Sequence, residues 1–136
     1  MKSNKPVLLI EDDEVDVLTI QRAFKDLEIS NQLDVAKDGE HALTLLQTPQ
    51  STQPCLILLD LNMPRMTGLE FLSIVKNDDQ LKRIPIVVLT TSKDEQDKIE
   101  SFHIGVAGYM VKPVDYQHFV SVISIIDMYW TVSELP

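Results

Sequence analysis

Five short apolar runs punctuate the chain: Val7-Leu8-Leu9-Ile10, Leu33-Asp34-Val35-Ala36, Cys55 to Leu59, Ile84 to Leu89 and Val106 to Val111. Three of them are nearly unbroken, which is how a strand covered on both faces reads; a half-exposed antiparallel strand alternates instead. The segments between the runs are polar and helix-like, and each is long enough for the crossover of about a dozen residues that parallel strands need. The pattern predicts a βα unit repeated five times, an α/β protein built on a doubly wound five-stranded parallel sheet.

The intervening segments carry their own signals. Glu14 to Leu27 places Val15, Leu18, Ala23, Phe24 and Leu27 roughly on one stripe, and Gly39 to Leu46 does the same with Ala42, Leu43 and Leu46. Thr67 precedes Glu70 by three residues and Ser92 precedes Glu95 by three, so each pair predicts a capping box at a helix start. Asp115 is placed to cap the last helix. That helix is apolar on more than one face, with Phe119, Val120, Val122, Ile123, Ile125, Ile126, Met128, Tyr129 and Trp130. No repeat or linker interrupts the pattern, so one domain over 1–136 is expected, its core at about residues 5–130 and a short peripheral tail at 131–136.

Composition narrows the function. A chain of 136 residues is long enough to bury a real core, and an appended DNA-binding or catalytic domain is not expected within it. Twelve Lys and Arg stand against 21 Asp and Glu, a formal net charge of -9 that repels nucleic acid and anionic membranes. Cys55 opens an apolar run and reads as a buried hydrophobe; a single cysteine builds neither a disulfide nor a thiolate metal site. The first apolar stretch stops at Ile10, too short for a signal peptide or a membrane span, so a cytoplasmic protein is expected.

The polar residues at the ends of the runs carry the chemistry. Glu11-Asp12-Asp13 follows the first run, Asp60 the third, Thr90 the fourth and Lys112 the fifth. In an open parallel sheet the carboxyl ends of the strands form the ligand crevice. Carboxylates converging there repel one another unless a cation intervenes, and oxygen ligands beside phosphate suit Mg²⁺. His41, His103 and His118 fall in helical segments, away from that edge, which argues against zinc. Each residue also has a plainer reading: an acidic pair after a strand caps the next helix, Thr90 does likewise, and Lys112 is a surface charge. Their order and common position at strand ends favour a joint site.

Asp12-Asp13, Asp60, Asn62, Met63-Pro64, Gly68, Thr90, Tyr109 and Lys112-Pro113, in this order and spacing, resemble the receiver domain of two-component response regulators from about Lys5 to Tyr129. The Asp-Leu-Asn-Met-Pro turn, the run from Leu81 to Ser92 and Tyr129-Trp130 are similar to freestanding CheY-like regulators paired with phytochrome-type sensor histidine kinases. The resemblance implies a flavodoxin-like (βα)5 topology with strand order 2-1-3-4-5. It makes Asp60 the phosphoacceptor, and Mg²⁺, with Mn²⁺ as the alternative, held by Asp12, Asp13, Asp60 and the backbone carbonyl of Asn62. Thr90 and Lys112 would bind the phosphoryl group, and Tyr109 would report its arrival by turning its ring.

On the same resemblance Pro64 and Gly68 shape the loop after the acceptor, and Lys112-Pro113 is joined by a cis bond that aims the ammonium inward. Asn62, Thr91 and Ser92 sit where the lifetime of the acyl phosphate is tuned. Gly105 and Gly108 serve the turn into the last strand. The implied activity is self-phosphotransfer and autodephosphorylation rather than conventional turnover. Implied partners are a sensor histidine kinase and a downstream protein or phosphotransfer partner. The apolar excess on Val122, Ile126, Tyr129, Trp130, Val132 and Leu135 adds the expectation of a homodimer through the C-terminal helix. Two other classes compete: a receiver-fold interaction module that is never phosphorylated, and a small Mg²⁺-dependent phosphohydrolase, against which the missing Asp-x-Asp after the third run argues.

Overall fold

A computed structural model describes residue 1, residues 3–49 and residues 52–133. The strands are β1 (Val7–Ile10), β2 (Leu33–Ala36), β3 (Leu56–Leu59), β4 (Ile86–Thr90) and β5 (Gly108–Val111). They alternate with α1 (Glu14–Asp26), α2 (Gly39–Gln47), α3 (Gly68–Lys76), α4 (Glu95–Ile104) and α5 (Tyr116–Val132). All four strand pairings are parallel, and the order across the sheet is β2-β1-β3-β4-β5, as expected.

The unbroken apolar strands divide their side chains between two cores. Leu8, Ile10, Ile57, Leu59, Ile86 and Val88 face Phe71, Leu72 and Val75 of α3 with Ala42 and Leu46 of α2. Their neighbours Val7, Leu9, Leu56, Leu58, Val87 and Leu89 face Ile20, Ala23 and Phe24 of α1 with Phe119, Ile123, Ile126 and Trp130 of α5. Alternation along each strand therefore feeds both layers, and nothing polar is needed inside. Cys55 is buried in the second core, and burial pushes its thiol above the ordinary cysteine value, so it is packing rather than chemistry.

Helix boundaries follow local chemistry, with corrections to the sequence expectations. The capping box of Thr67 and Glu70 is formed, its two reciprocal bonds both 3.2 Å. The other predicted box is not: Asp94 caps α4 by accepting from Gln96 N at 2.8 Å, and the Ser92 hydroxyl instead donates to Asp97. Aspartate two residues closer to the helix outcompetes the serine as acceptor. Asp115 caps α5 as expected. In α1 the buried residues are Ile20, Ala23 and Phe24, whereas Val15 and Leu18 are 69% and 65% exposed. Two residues along a helix exceed half a turn, so Leu18 faces away from the sheet that Ile20 meets.

Strand β5 starts at Gly108 rather than Val106, because the Val106 N–H is spent on Ser101 O in the C-terminal cap of α4. Gly105 makes that cap in the left-handed region at φ 119°, a position that suits a residue without Cβ. The bond between Lys112 and Pro113 is trans, contrary to expectation. Lys112 N–H donates to Thr90 O at 2.8 Å, which continues the β4–β5 pairing, and acidic partners described below draw the ammonium inward without an isomerised bond. Helix α5 extends to Val132, so the chain is still helical where the tail was placed, while Leu135 lies outside the described residues.

Helix α1 ends in a Schellman arrangement, with Ile29 N–H donating to Phe24 O and Glu28 N–H to Lys25 O. Glu28 occupies the left-handed position, φ 57°, where a Cβ is strained. Replacing it by glycine relieves that strain but adds freedom to the unfolded chain. Glu28→Gly is therefore expected to raise the unfolding free energy by about 0.5 to 1 kcal/mol, read from urea midpoints at unchanged slope.

A carboxylate and lysine site at the strand ends

Because every strand is parallel, the first polar residue after β1, β3 and β5 and the last residue of β4 meet at one edge. They are Glu11, Asp60, Lys112 and Thr90. Glu11, Asp60 and Thr90 are buried, and the Lys112 side chain is only 6% exposed. Lys112 Nζ donates to Glu11 Oε1, lies 2.7 Å from Asp16 Oδ2 and stands 3.6 Å from Asp60 Oδ2.

Glu11, Asp12 and Asp60 each direct a carboxylate oxygen into a cluster whose members lie within 4.8 Å of one another. Burial, reinforced by the neighbouring Asp60 carboxylate, pushes Glu11 up to about 9, against the pull of Lys112. Burial also works against the Lys112 ammonium, but its bonds to Asp16 and Glu11 outweigh that and hold it above the ordinary lysine value. For Asp16, burial is likewise outweighed by Lys112, so its carboxyl stays below the usual range. Glu11 Oε2 is buried with no hydrogen-bond partner. A buried carboxylate oxygen left bare beside two further carboxylates is a costly arrangement that a cation would relieve.

The expected metal ligand Asp13 is not part of this cluster. It is exposed, and its Oδ1 accepts from Val15 N at 2.8 Å and Asp16 N at 3.2 Å, capping α1. Of the four consecutive acidic residues Glu11 to Glu14, the first two continue from β1 into the crevice, the third turns out to cap α1 and the fourth begins it. The plainer reading therefore holds for Asp13, and Glu11 takes its place beside Asp12 and Asp60. His41, His103 and His118 lie in α2, α4 and α5, and none joins the cluster.

The remaining candidates line the rim. Asn62 N–H donates to Asp60 Oδ1 at 3.3 Å, and Asn62 Nδ2 reaches Thr91 Oγ1 at 3.4 Å, joining the loops after β3 and β4. Thr90 Oγ1 accepts from Ser92 N at 3.3 Å. The half-buried Tyr109 donates its hydroxyl to Ser92 O at 3.1 Å, so Thr90 and Tyr109 both hold the same loop residue. Pro64 precedes Arg65, whose φ of 66° turns the loop, and Gly68 then packs against the end of β3.

Residues 7–124 match the model of the response regulator receiver domain. The chain belongs to the response regulator receiver family. Among its relatives is response regulator Rcp1 of Synechocystis sp., 38% identical over 135 residues, which cover 95% of this chain and 92% of that protein. The Mn²⁺-bound crystal form of Rcp1 superposes with a TM-score of 0.89 at 37% identity, covering 97% of this chain and 99% of the other. A phosphorylated cyanobacterial phytochrome response regulator, RcpA, superposes with a TM-score of 0.92 at 33% identity, covering 98% and 99%. This receiver is thus a response regulator of the two-component type, similar to regulators of phytochrome signalling. None of the helices among its described residues is long and apolar enough to cross a membrane.

Two residues of the receiver site were not assigned a role from the sequence, Glu11 and Asp16. Glu11 could have been found from position, as the first side chain past the strand. Asp16 carries no such signal, because its partner Lys112 is 96 positions away.

Proposed function

We propose that Asp60 accepts a phosphoryl group from a sensor histidine kinase and that the receiver thereby changes the surface around β4, α4 and β5. The observation that carries this reading is the buried Asp60 carboxylate, set between an acidic cluster with a bare oxygen and the Lys112 ammonium. An Asp60 oxygen attacks the phosphorus of a phosphohistidine. The P–N bond breaks, and the imidazole leaves after taking up a proton. The product is an acyl phosphate on Asp60.

Glu11, Asp12 and Asp60 would hold Mg²⁺ or Mn²⁺, with the Asn62 backbone carbonyl as a further oxygen; all these donors are hard, and the bare Glu11 oxygen fits such an ion. The ion supplies positive charge that allows one anion to approach another. Lys112 adds a second positive charge, and the buried Thr90 hydroxyl donates to a phosphoryl oxygen. Asn62 and Thr91, bonded to each other over the mouth of the site, limit water access and so set how long the acyl phosphate lasts. Ser92 acts on that lifetime through its loop, since its hydroxyl is bonded to Asp97.

When Thr90 turns toward the phosphoryl group, Ser92 N–H loses its acceptor and the loop that anchors Tyr109 shifts. Tyr109 then changes its surroundings and reports the event to a downstream protein or phosphotransfer partner. Similarity to phytochrome regulators supports a phytochrome-type kinase as donor, acting with this receiver in the cytoplasm.

Incubating the protein with Mg²⁺ and a small acyl phosphate tests the reading. A stable mass gain on Asp60 supports it, no gain supports an interaction module, and rapid turnover of diverse phosphate esters supports a phosphohydrolase.

A homodimer through α5 belongs to the same proposal. Ile126 and Trp130, expected at that surface, are buried in the second core. Ile125, Met128, Tyr129 and Val132 remain exposed at 60%, 64%, 57% and 74%, an apolar face that the protein's own core does not use. The mass in solution is expected to be that of two chains at high micromolar concentration; a strictly monomeric mass with and without phosphate removes the dimer.

A further inference from the structure

The Lys112 ammonium is bonded to the wrong carboxyl groups for its proposed task. It contacts Glu11 and lies 2.7 Å from Asp16 Oδ2, while Asp60 Oδ2, at 3.6 Å, is beyond hydrogen-bond range. An ammonium has three donors, and two of them are engaged away from the acceptor. Asp16 is held firmly in the first turn of α1, where its own N–H donates to the capping Asp13 at 3.2 Å. Its side chain is 26% exposed, at the outer rim of the site, whereas Glu11 is buried within it.

We propose that Asp16 is a positioning residue that parks the Lys112 ammonium off Asp60, so that an arriving phosphoryl group must draw the lysine from a competing anion. The inference rests on the phosphoacceptor reading of Asp60 and adds a resting state to it. Asp16 is not itself a member of the acidic cluster; its carboxylate meets Lys112 and the neighbouring Glu11, and the ammonium is the group it holds off Asp60. A partly buried carboxylate at that distance competes directly with phosphoryl oxygens for the same donors, and weakens their capture by the strength of one ion pair. The parked state also restrains the resting protein, since the cation that favours phosphoryl capture is directed elsewhere until needed.

Asp16→Asn keeps the shape of the side chain and removes its charge. Its crystal structure is expected to show Lys112 Nζ within hydrogen-bond distance of Asp60, and the Mg²⁺-dependent affinity for beryllofluoride, a phosphoryl mimic, is expected to rise about three- to tenfold. Asp16→Glu should return the affinity toward that of the parent. In a Lys112→Gln background Asp16→Asn should lose most of its effect on the mimic, which separates positioning of the ammonium from the Asp16–Glu11 contact and from a general effect on α1. The proposal is overturned if Nζ stays where it is, or if the mimic binds no better while the unfolding midpoint is unaltered. Should the parent fail to bind the mimic, the phosphoacceptor reading falls, and the position of Nζ in Asp16→Asn still decides whether Asp16 parks it.

Discussion

Asp60→Asn is expected to abolish phosphoryl acceptance, lowering the rate of mass gain from an acyl phosphate or a phosphorylated kinase by at least about 10³-fold. The amide is nearly isosteric but offers no anionic oxygen, so the attack itself is lost while the hydrogen bond from Asn62 N–H keeps an acceptor. The fold is expected to survive. Asp60 is a buried carboxylate that raises Glu11 first through a hydrogen bond and then through its charge; a neutral amide in its place removes one buried charge and can still accept. The metal-free variant should therefore unfold at the same temperature as the parent or higher. Added Mg²⁺ should raise its unfolding temperature less than it raises the parent's, because one of three clustered carboxylates is gone. Intact mass spectrometry and thermal unfolding with and without Mg²⁺ check both halves. Undiminished phosphate uptake would place the acceptor elsewhere.

Gly68→Ala is expected to damage stability and chemistry together, by at least about 3 kcal/mol in unfolding free energy. A Cβ there would lie 2.6 Å from Leu61 Cα, 2.8 Å from Leu61 Cδ2 and 2.9 Å from Asp60 O. Two of those atoms are backbone and cannot rotate away. The close approach is itself built by the chain, since Gly68 N–H donates to Leu61 O at 3.1 Å as α3 begins beside the end of β3. To admit a methyl group the start of α3 must retreat. Leu61 is buried in the first core, and Asp60 precedes it directly. The retreat therefore opens the core and displaces the acceptor carboxylate at once. Denaturant unfolding measures the first effect, and the initial rate of phosphorylation in the folded fraction measures the second.

The sheet was legible because β1, β3 and β4 are covered on both faces, which leaves an apolar run that little else in a short segment explains. The misjudged places are those where apolar residues serve something other than the sheet-facing core. Val15 and Leu18 look like part of a buried stripe, yet face solvent. Val106 looks like the start of β5, yet its backbone completes α4. In the site, Asp60, Thr90 and Lys112 were legible as polar residues at the ends of apolar runs. Asp13 was assigned to the metal because aspartate is both a good metal ligand and a good helix cap, and the four acidic residues Glu11 to Glu14 in a row do not reveal where the strand ends. The partnership of Asp16 with Lys112 joins the first helix to the last strand, and local patterning carries no trace of it.

The polarity of the sheet has a practical consequence for anyone wishing to instrument this protein. With every strand running the same way, the connections at 27–32, 77–85 and 105–107 lie at the rim opposite Asp60. A fluorophore or an inserted peptide at an exposed position such as Asp79 would sit a strand's length from the acceptor. Sensors built there should follow signalling without obstructing the kinase.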